Sequence, residues 1–139
     1  MCYSEENLRN HEPIEITGYK VVVKDFEENK YFGLYGITEI KVGAKYKNRR
    51  RAQVCKYLEQ THYETFVKGR VGVFELRSSA EDFGYCHTKG ANRNHKRLEA
   101  STFLLKVTGL ASGTTYDSDS NSKVYLFDTI TKIEEIKFS

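Results

Sequence analysis

The chain has 139 residues, which favours one domain because a chain of this length closes a single hydrophobic core. Apolar residues make up 39% and charged residues 29% of the sequence, a composition that excludes an open, disordered chain. The net charge of +3 is too small to indicate a partner by itself, so the distribution of charge along the chain matters more than its sum.

The compartment is indicated by what the sequence lacks. The first residues have neither the basic region nor the apolar core of a secretory signal, and no stretch approaches the roughly 20 apolar residues of a membrane helix. Cys2, Cys55 and Cys86 are odd in number, widely spaced and without a C-x-x-C pair, which argues against disulfides and a zinc ribbon. We therefore expect a cytoplasmic protein with no metal and no cofactor.

The N-terminal half is predicted to be mainly β-structure. Residues 1–13 are polar and contain the only proline, so they predict a flexible lead-in to a single domain over residues 14–139. The alternating and then β-branched run from Ile14 to Lys24 predicts a strand, and residues 31–35 and 37–42 predict two more on either side of Gly36. The region from 45 to 60 fits either a short helix or an ordered loop.

The C-terminal half adds a helix and further strands. After a strand over residues 70–77, Ser78 and Ser79 precede acidic residues and predict a helix start, with the helix ending near Cys86. Residues 101–108 predict a strand that Gly109 ends, followed by a loop over 111–122 and one or two strands over 123–136. The fold class is therefore α+β, a mainly antiparallel sheet with one or two short helices.

A basic run is the first candidate for function. Seven cations lie between Lys41 and Lys56 with no acid among them, a density that repels itself unless solvent or an anionic partner neutralises it. Its arginines suit phosphate, because a planar guanidinium forks onto phosphate oxygens and stacks on a base. The alternative is an ordinary solvated basic face.

A second candidate surrounds the end of the predicted helix, where aromatic, amide and cationic residues occur together. Amides read base edges, aromatic rings stack on bases and cations meet phosphates, so these are the residue types that a nucleotide requires. A polar surface loop with the same composition is the alternative. We expect both segments to face one cleft, and the predicted ligand-binding residues are Lys47, Arg49, Arg50, Arg51, Arg77, Tyr85, His87, Asn92, Arg93, His95 and Arg97.

For two other patterns in the sequence we expect neither metal binding nor catalysis. Residues 117–123 place oxygen donors at alternate positions like the start of a calcium loop, but the sixth position is not glycine and Asp128 stands at the twelfth, so we expect a turn without metal. Cys86 beside His87 would need a third orienting group to act as a nucleophile, and we expect an ordinary thiol. No catalytic residue is predicted.

The order of four short motifs resembles a known class of proteins. Gly18-Tyr-Lys-Val-Val, Val42-Gly-Ala-Lys-Tyr, the stretch from Gly72 to Asp82 and Phe103-Leu-Leu-Lys-Val-Thr-Gly resemble small phage-borne and bacterial α+β domains of largely unassigned function. The size, the tyrosine content and the basic segments are also similar to phage anti-defence proteins that sequester nucleotide immune signals. This resemblance implies a binding protein and assigns no catalytic residue.

The leading hypothesis is that the protein sequesters a small phosphorylated ligand, a nucleotide immune signal, without converting it. A small protein often forms its pocket between subunits, so a homo-oligomer is expected. We therefore favour a protein that is not an enzyme. One alternative is left open, an ADP-ribosyltransferase-like or phosphodiesterase enzyme acting on nucleotides. RNA or DNA binding through the arginine run and a protein-interaction module are the others.

Overall fold

The computed structural model of the protein describes residues 6–34, 39–46, 69–94 and 101–137, and for residues 87–94 and 101 it describes the backbone alone. The elements in chain order are β1 (Arg9–Asp25), β2 (Lys30–Gly33), β3 (Glu39–Ile40), β4 (Val71–Phe74), α1 (Arg77–Asn94), β5 (Ser101–Tyr116) and β6 (Lys123–Ile136).

The six strands form one antiparallel sheet whose pairing closes into a ring. The sheet order is β3-β2-β1-β4-β6-β5, and β5 pairs in addition with β1 along most of its length. The contact between β1 and β4 is the shortest link of the ring, since it rests on the pair Tyr19 and Phe74. The ammonium of Lys20 strengthens this link by donating to the Gly72 carbonyl at 2.9 Å.

One edge of β1 and one edge of β6 each pair with two different segments, one after the other along the strand. One edge of β1 pairs with β4 at Tyr19 and with β2 from Val22 onward. The matching edge of β6 pairs with β4 up to Phe127, after which the segment 43–46 takes over. There the amides of Gly43 and Tyr46 donate to carbonyls of β6 at 2.9 and 2.7 Å. The short strands and the segment 43–46 therefore pair along the edges that the long strands β1 and β6 provide.

Both faces of the sheet are covered by apolar side chains. On one face, α1 places Ala80 and Phe83 against Val21, Leu104 and Phe74, with the Phe74 and Phe83 ring centroids 5.6 Å apart. The opposite face carries a second cluster of buried residues, which is Val22, Ile40, Tyr46, Val71, Val73, Leu105, Val107, Ala111, Phe127 and Ile130. Alternation along β1 explains the two clusters, because successive strand residues point to opposite faces.

Two glycines allow strands to approach closely. A Cβ on Gly109 would lie 2.1 Å from the Thr129 carbonyl oxygen, and a Cβ on Gly18 would lie 2.7 Å from the Phe74 carbonyl oxygen. Gly109 sits where the β5–β6 register shifts, so a bulge and a missing side chain occur together.

The prediction of a mainly antiparallel sheet with a helix is confirmed, but the molecule is richer in strand than an even α+β mixture. The predicted helix end near Cys86 is wrong, because α1 continues to Asn94. No proline interrupts the backbone hydrogen bonds of α1 after Cys86, so the helix can continue into the polar tract.

Several predicted strand ends are also wrong. β1 begins at Arg9, before the predicted start at Ile14, and pairs with Thr114 there. β5 runs through Gly109 to Tyr116 because glycine serves the close contact with β6 and not a turn. The division into a lead-in and a domain over residues 14–139 stays a prediction. Within the described residues, no helix combines the length and the hydropathy that crossing a bilayer requires.

Candidate functional site

An ammonium group surrounded by aromatic rings lies at the end of β1. The Nζ atom of Lys24 lies 5.6 Å from the ring centroid of Phe26, 5.3 Å from that of Tyr31 and 5.5 Å from that of Phe103. The Glu135 carboxylate approaches the same ammonium, with Nζ and Oε2 3.6 Å apart. We call these five residues, Lys24, Phe26, Tyr31, Phe103 and Glu135, the Lys24 cluster.

The strand register assembles the Lys24 cluster. Lys24 and Tyr31 are directly paired across β1 and β2, so their side chains share a face. Phe103 pairs with Val22, one step along the same face, and Glu135 pairs with Leu105 on the neighbouring strand. Since Val22 and Leu105 belong to the buried cluster opposite α1, the Lys24 cluster extends that core toward solvent.

Hydrogen bonding fixes the polar atoms of the Lys24 cluster. The Tyr31 hydroxyl donates to Glu135 Oε2 at 3.1 Å, so one carboxylate oxygen receives both the tyrosine and the lysine. Burial raises the pKa of Tyr31 above its usual value, and the Glu135 hydrogen bond raises it further, so the phenol is a protonated donor at neutral pH. The lysine side chain is 17% exposed and the glutamate side chain 35%.

A groove adjoins the cluster. Its volume is about 460 Å³, and its lining residues are Thr102, Phe103, Glu135, Ile136 and Lys137. Phe26 stands at the cluster's outer side, 57% exposed, with its ring edge-on to Phe103 at 5.8 Å. Phe103, Glu135 and Lys137 therefore line the groove itself, while Lys24 and Phe26 contact Phe103 beside it.

A smaller arrangement of the same residue types is formed by β6 and the residue that follows β4. Lys123 Nζ lies 3.6 Å from Glu75 Oε2 and 5.5 Å from the ring centroid of Tyr125. The Tyr125 hydroxyl donates to the same Glu75 oxygen at 2.9 Å, and burial, followed by this bond, raises the pKa of Tyr125 to about 12. We call Glu75, Lys123 and Tyr125 the Lys123 cluster, and it provides a matched control for the Lys24 cluster.

Most of the ligand-binding residues predicted from the sequence have side chains outside the described part of the chain. Lys47, Arg49, Arg50 and Arg51 lie outside the described residues, as do His95 and Arg97. The backbone of His87, Asn92 and Arg93 belongs to α1, but their side chains are outside the description. The prediction that the two segments face one cleft is therefore untested. The segment 95–100 joins α1 to Ser101, the residue that pairs with Lys24.

The two remaining predicted residues are described and lie on α1. Arg77 donates from Nε to Glu81 Oε1 at 2.8 Å and from its Nη2 to the Lys137 carbonyl oxygen. Arg77 thus fastens the first turn of α1 to the chain just beyond β6, beside the groove. Tyr85 is 63% exposed, and Cys86 next to it is an exposed free thiol.

A buried charge lies elsewhere in the sheet. Arg70 is 4% exposed and donates to Ser112 Oγ at 3.1 Å, and burial lowers its pKa although Asp128 opposes that shift. A Cβ on Gly113 would lie 2.6 Å from an Arg70 nitrogen, so backbone encloses this guanidinium. Both carboxylate oxygens of Asp128 are buried without a hydrogen-bond partner in the described structure. Because its guanidinium is enclosed, we interpret Arg70 as a residue that stabilises the fold.

The calcium-like stretch is a turn. Asp117 accepts hydrogen bonds from the Asp119 amide and the Ser120 hydroxyl, while its backbone bonds to Ser122 and Asn121. Among residues 6–34, 39–46, 69–86 and 102–137, no three His, Cys, Asp or Glu side chains are grouped as metal ligands.

Sequence reasoning did not single out the Lys24 cluster. Its members come from β1, the turn after it, β2, β5 and β6, so only the strand register brings them together. One signal was present: Phe26 is an aromatic residue in an otherwise polar turn, two positions after the lysine that follows an apolar run.

The fold and the groove define a strand-rich protein with a cationic, aromatic surface site. No protein-family model, curated protein or solved structure matches the chain.

Proposed function

We propose that the protein binds a small phosphorylated ligand with an aromatic base, a nucleotide, in the groove beside the Lys24 cluster and holds it without converting it. The observation that carries this proposal is the Lys24 ammonium among three aromatic rings at the edge of a groove. The resemblance to anti-defence proteins suggests that the ligand is a nucleotide immune signal, and a homo-oligomer remains part of the proposal.

The residue types of the groove support a nucleotide. The exposed Phe26 ring can stack on a base, and a stacking contact contributes about 1–3 kcal/mol per base. Lys24 and Lys137 supply positive charge for a phosphate, and the protonated Tyr31 supplies a hydroxyl donor. Aromatic and cationic groups thus lie side by side, with Lys24 Nζ 5.6 Å from the ring centroid of Phe26.

Sequestration is favoured over catalysis by the roles of the groove's polar groups. The acid that lines the groove, Glu135, accepts the Tyr31 hydroxyl and lies 3.6 Å from the Lys24 ammonium, contacts that serve to hold these two donors. RNA or DNA binding through the arginine run stays an alternative, distinguished by a steep fall of affinity with salt.

The test measures nucleotide binding to wild type and three variants by calorimetry, followed by heating to release the ligand for chromatography. Lys24→Met is expected to weaken binding about 10- to 100-fold, since a hydrogen bond to a charged group contributes about 1.5–3 kcal/mol. Phe26→Ala is expected to weaken it about fivefold or more. Lys123→Met removes a lysine with similar contacts outside the groove and is expected to bind like wild type.

Recovery of unaltered nucleotide after heating supports sequestration. A converted product would establish the enzyme alternative. Equal loss of affinity in Lys24→Met and Lys123→Met would show that net charge, and not this groove, governs binding.

A further inference from the structure

We infer that Glu135 is an internal competitor for the ligand's phosphate, so that it limits the affinity of the groove for every phosphorylated ligand. This inference rests on the proposed function and adds what sets the affinity of the same site. It assigns Glu135 a role as an affinity-limiting residue, while the positive charge of Lys24 favours a terminal, doubly charged phosphate.

The geometry behind the inference is the convergence of two donors on one oxygen. Lys24 Nζ and the Tyr31 hydroxyl both approach Glu135 Oε2, at 3.6 and 3.1 Å. A phosphate oxygen seeks the same two donors, an ammonium and a hydroxyl. The Oε2 atom therefore marks the position that a ligand oxygen would take once the glutamate side chain turns away.

Glu135 is able to turn away at little cost. Its side chain is 35% exposed, and an ion pair with this exposure contributes only about 0–1 kcal/mol. Lys24, by contrast, is 17% exposed and is held among the rings. A ligand therefore replaces the carboxylate while the lysine stays in place.

The charge of a phosphate decides how readily it displaces the Glu135 carboxylate from Lys24 and Tyr31. A terminal phosphate carries about −1.5 to −2 at neutral pH, whereas an internal or cyclic phosphodiester carries a single charge, like the carboxylate that it must displace. Displacement is favourable for the dianion and close to neutral for the monoanion. We therefore expect adenosine monophosphate to bind more tightly than cyclic adenosine monophosphate, although both carry the same base.

The experiment titrates wild type, Glu135→Gln and Glu75→Gln with inorganic phosphate, adenosine monophosphate and cyclic adenosine monophosphate. Gln keeps the side-chain volume and still accepts the Tyr31 hydrogen bond. In Glu135→Gln all three ligands are expected to bind about two- to fivefold more tightly, and the ratio between the two nucleotides is expected to persist because the removed cost is common to both. Glu75→Gln makes the same charge change in the Lys123 cluster and is expected to leave every affinity unchanged.

Two results separate this inference from the proposed function. If Lys24→Met loses nucleotide binding while Glu135→Gln binds no more tightly than wild type, the competitor role is wrong and the binding site stands. If neither wild type nor Glu135→Gln binds any of the three ligands, the proposed function fails together with the inference. An equal gain in Glu75→Gln would trace the effect to net charge and overturn the role of Glu135.

Discussion

Lysine, tyrosine and glutamate meet in the same way at two places in the molecule. In both clusters the carboxylate lies 3.6 Å from the ammonium and accepts the phenol hydroxyl. The Lys24 cluster differs by two additional phenylalanine rings and by the groove beside it. The same set of contacts therefore stabilises the sheet in the Lys123 cluster and forms part of a candidate binding surface in the Lys24 cluster.

The Tyr125 hydroxyl predicts a loss of stability at alkaline pH. Its folded pKa of about 12 lies above the usual value of 10.0, so the folded state favours the protonated phenol. This contribution is complete below pH 10 and is lost as the pH rises from 10 to 12. Urea unfolding at pH 8 is expected to show Tyr125→Phe about 1 kcal/mol less stable than wild type, and the difference is expected to shrink by pH 11.5. A difference that stays constant with pH would contradict the assigned hydrogen bond.

At the scale of elements, the register between β5 and β6 depends on a missing side chain. Gly109→Ala would drive a methyl group to 2.1 Å from the Thr129 carbonyl oxygen, which is backbone and has no rotamer to change. The strands must separate there, so we expect a loss of about 2 kcal/mol or more in the free energy of unfolding, measured by urea denaturation. Gly33→Ala in β2 meets nothing within 4 Å and is expected to change stability by less than about 1 kcal/mol.

The order of most elements was predictable, because alternation and β-branched runs mark strands wherever one face is buried. Element ends were less predictable. Gly109 was interpreted as a strand end because glycine is common in turns, whereas here it serves a close contact inside β5. The polar tract after Cys86 was interpreted as a helix break, whereas α1 continues into it as far as Asn94.

At the scale of the whole molecule, Arg77 joins α1 to the end of the sheet. Glu81, its partner, has a side chain that is 10% exposed, so Arg77→Met leaves a buried carboxylate without this guanidinium. We expect a loss of about 1–3 kcal/mol in the free energy of unfolding. Arg77→Met/Glu81→Met is expected to recover part of it, because the buried carboxylate is removed as well.

The same variant examines the earlier prediction that Arg77 binds ligand. If Arg77 only fastens α1 to the chain beyond β6, nucleotide affinity is expected to stay near the wild-type value at temperatures where the variant is folded. A tenfold loss of affinity in folded Arg77→Met would instead make Arg77 part of the binding site.

The candidate site was less predictable than the fold. A sequence reveals runs such as the arginine segment, but the Lys24 cluster is assembled by cross-strand neighbours that are remote along the chain. Tyr31 and Glu135, which share one hydrogen bond, are 104 positions apart. Among the predicted residues with described side chains, Arg77 lies near the groove through its bond to Lys137, whereas Tyr85 is solvent-exposed on α1.

The pairing of β1 with β5 has a consequence for how the chain reaches this structure. Thr17 and Thr108 are hydrogen-bonded neighbours 91 positions apart, so the central ladder forms only after a long intervening stretch has been closed into a loop. Topologies dominated by such distant pairings fold in milliseconds to seconds, far more slowly than helical bundles. During synthesis on the ribosome, β1 therefore waits for its main partner until most of the polypeptide has emerged.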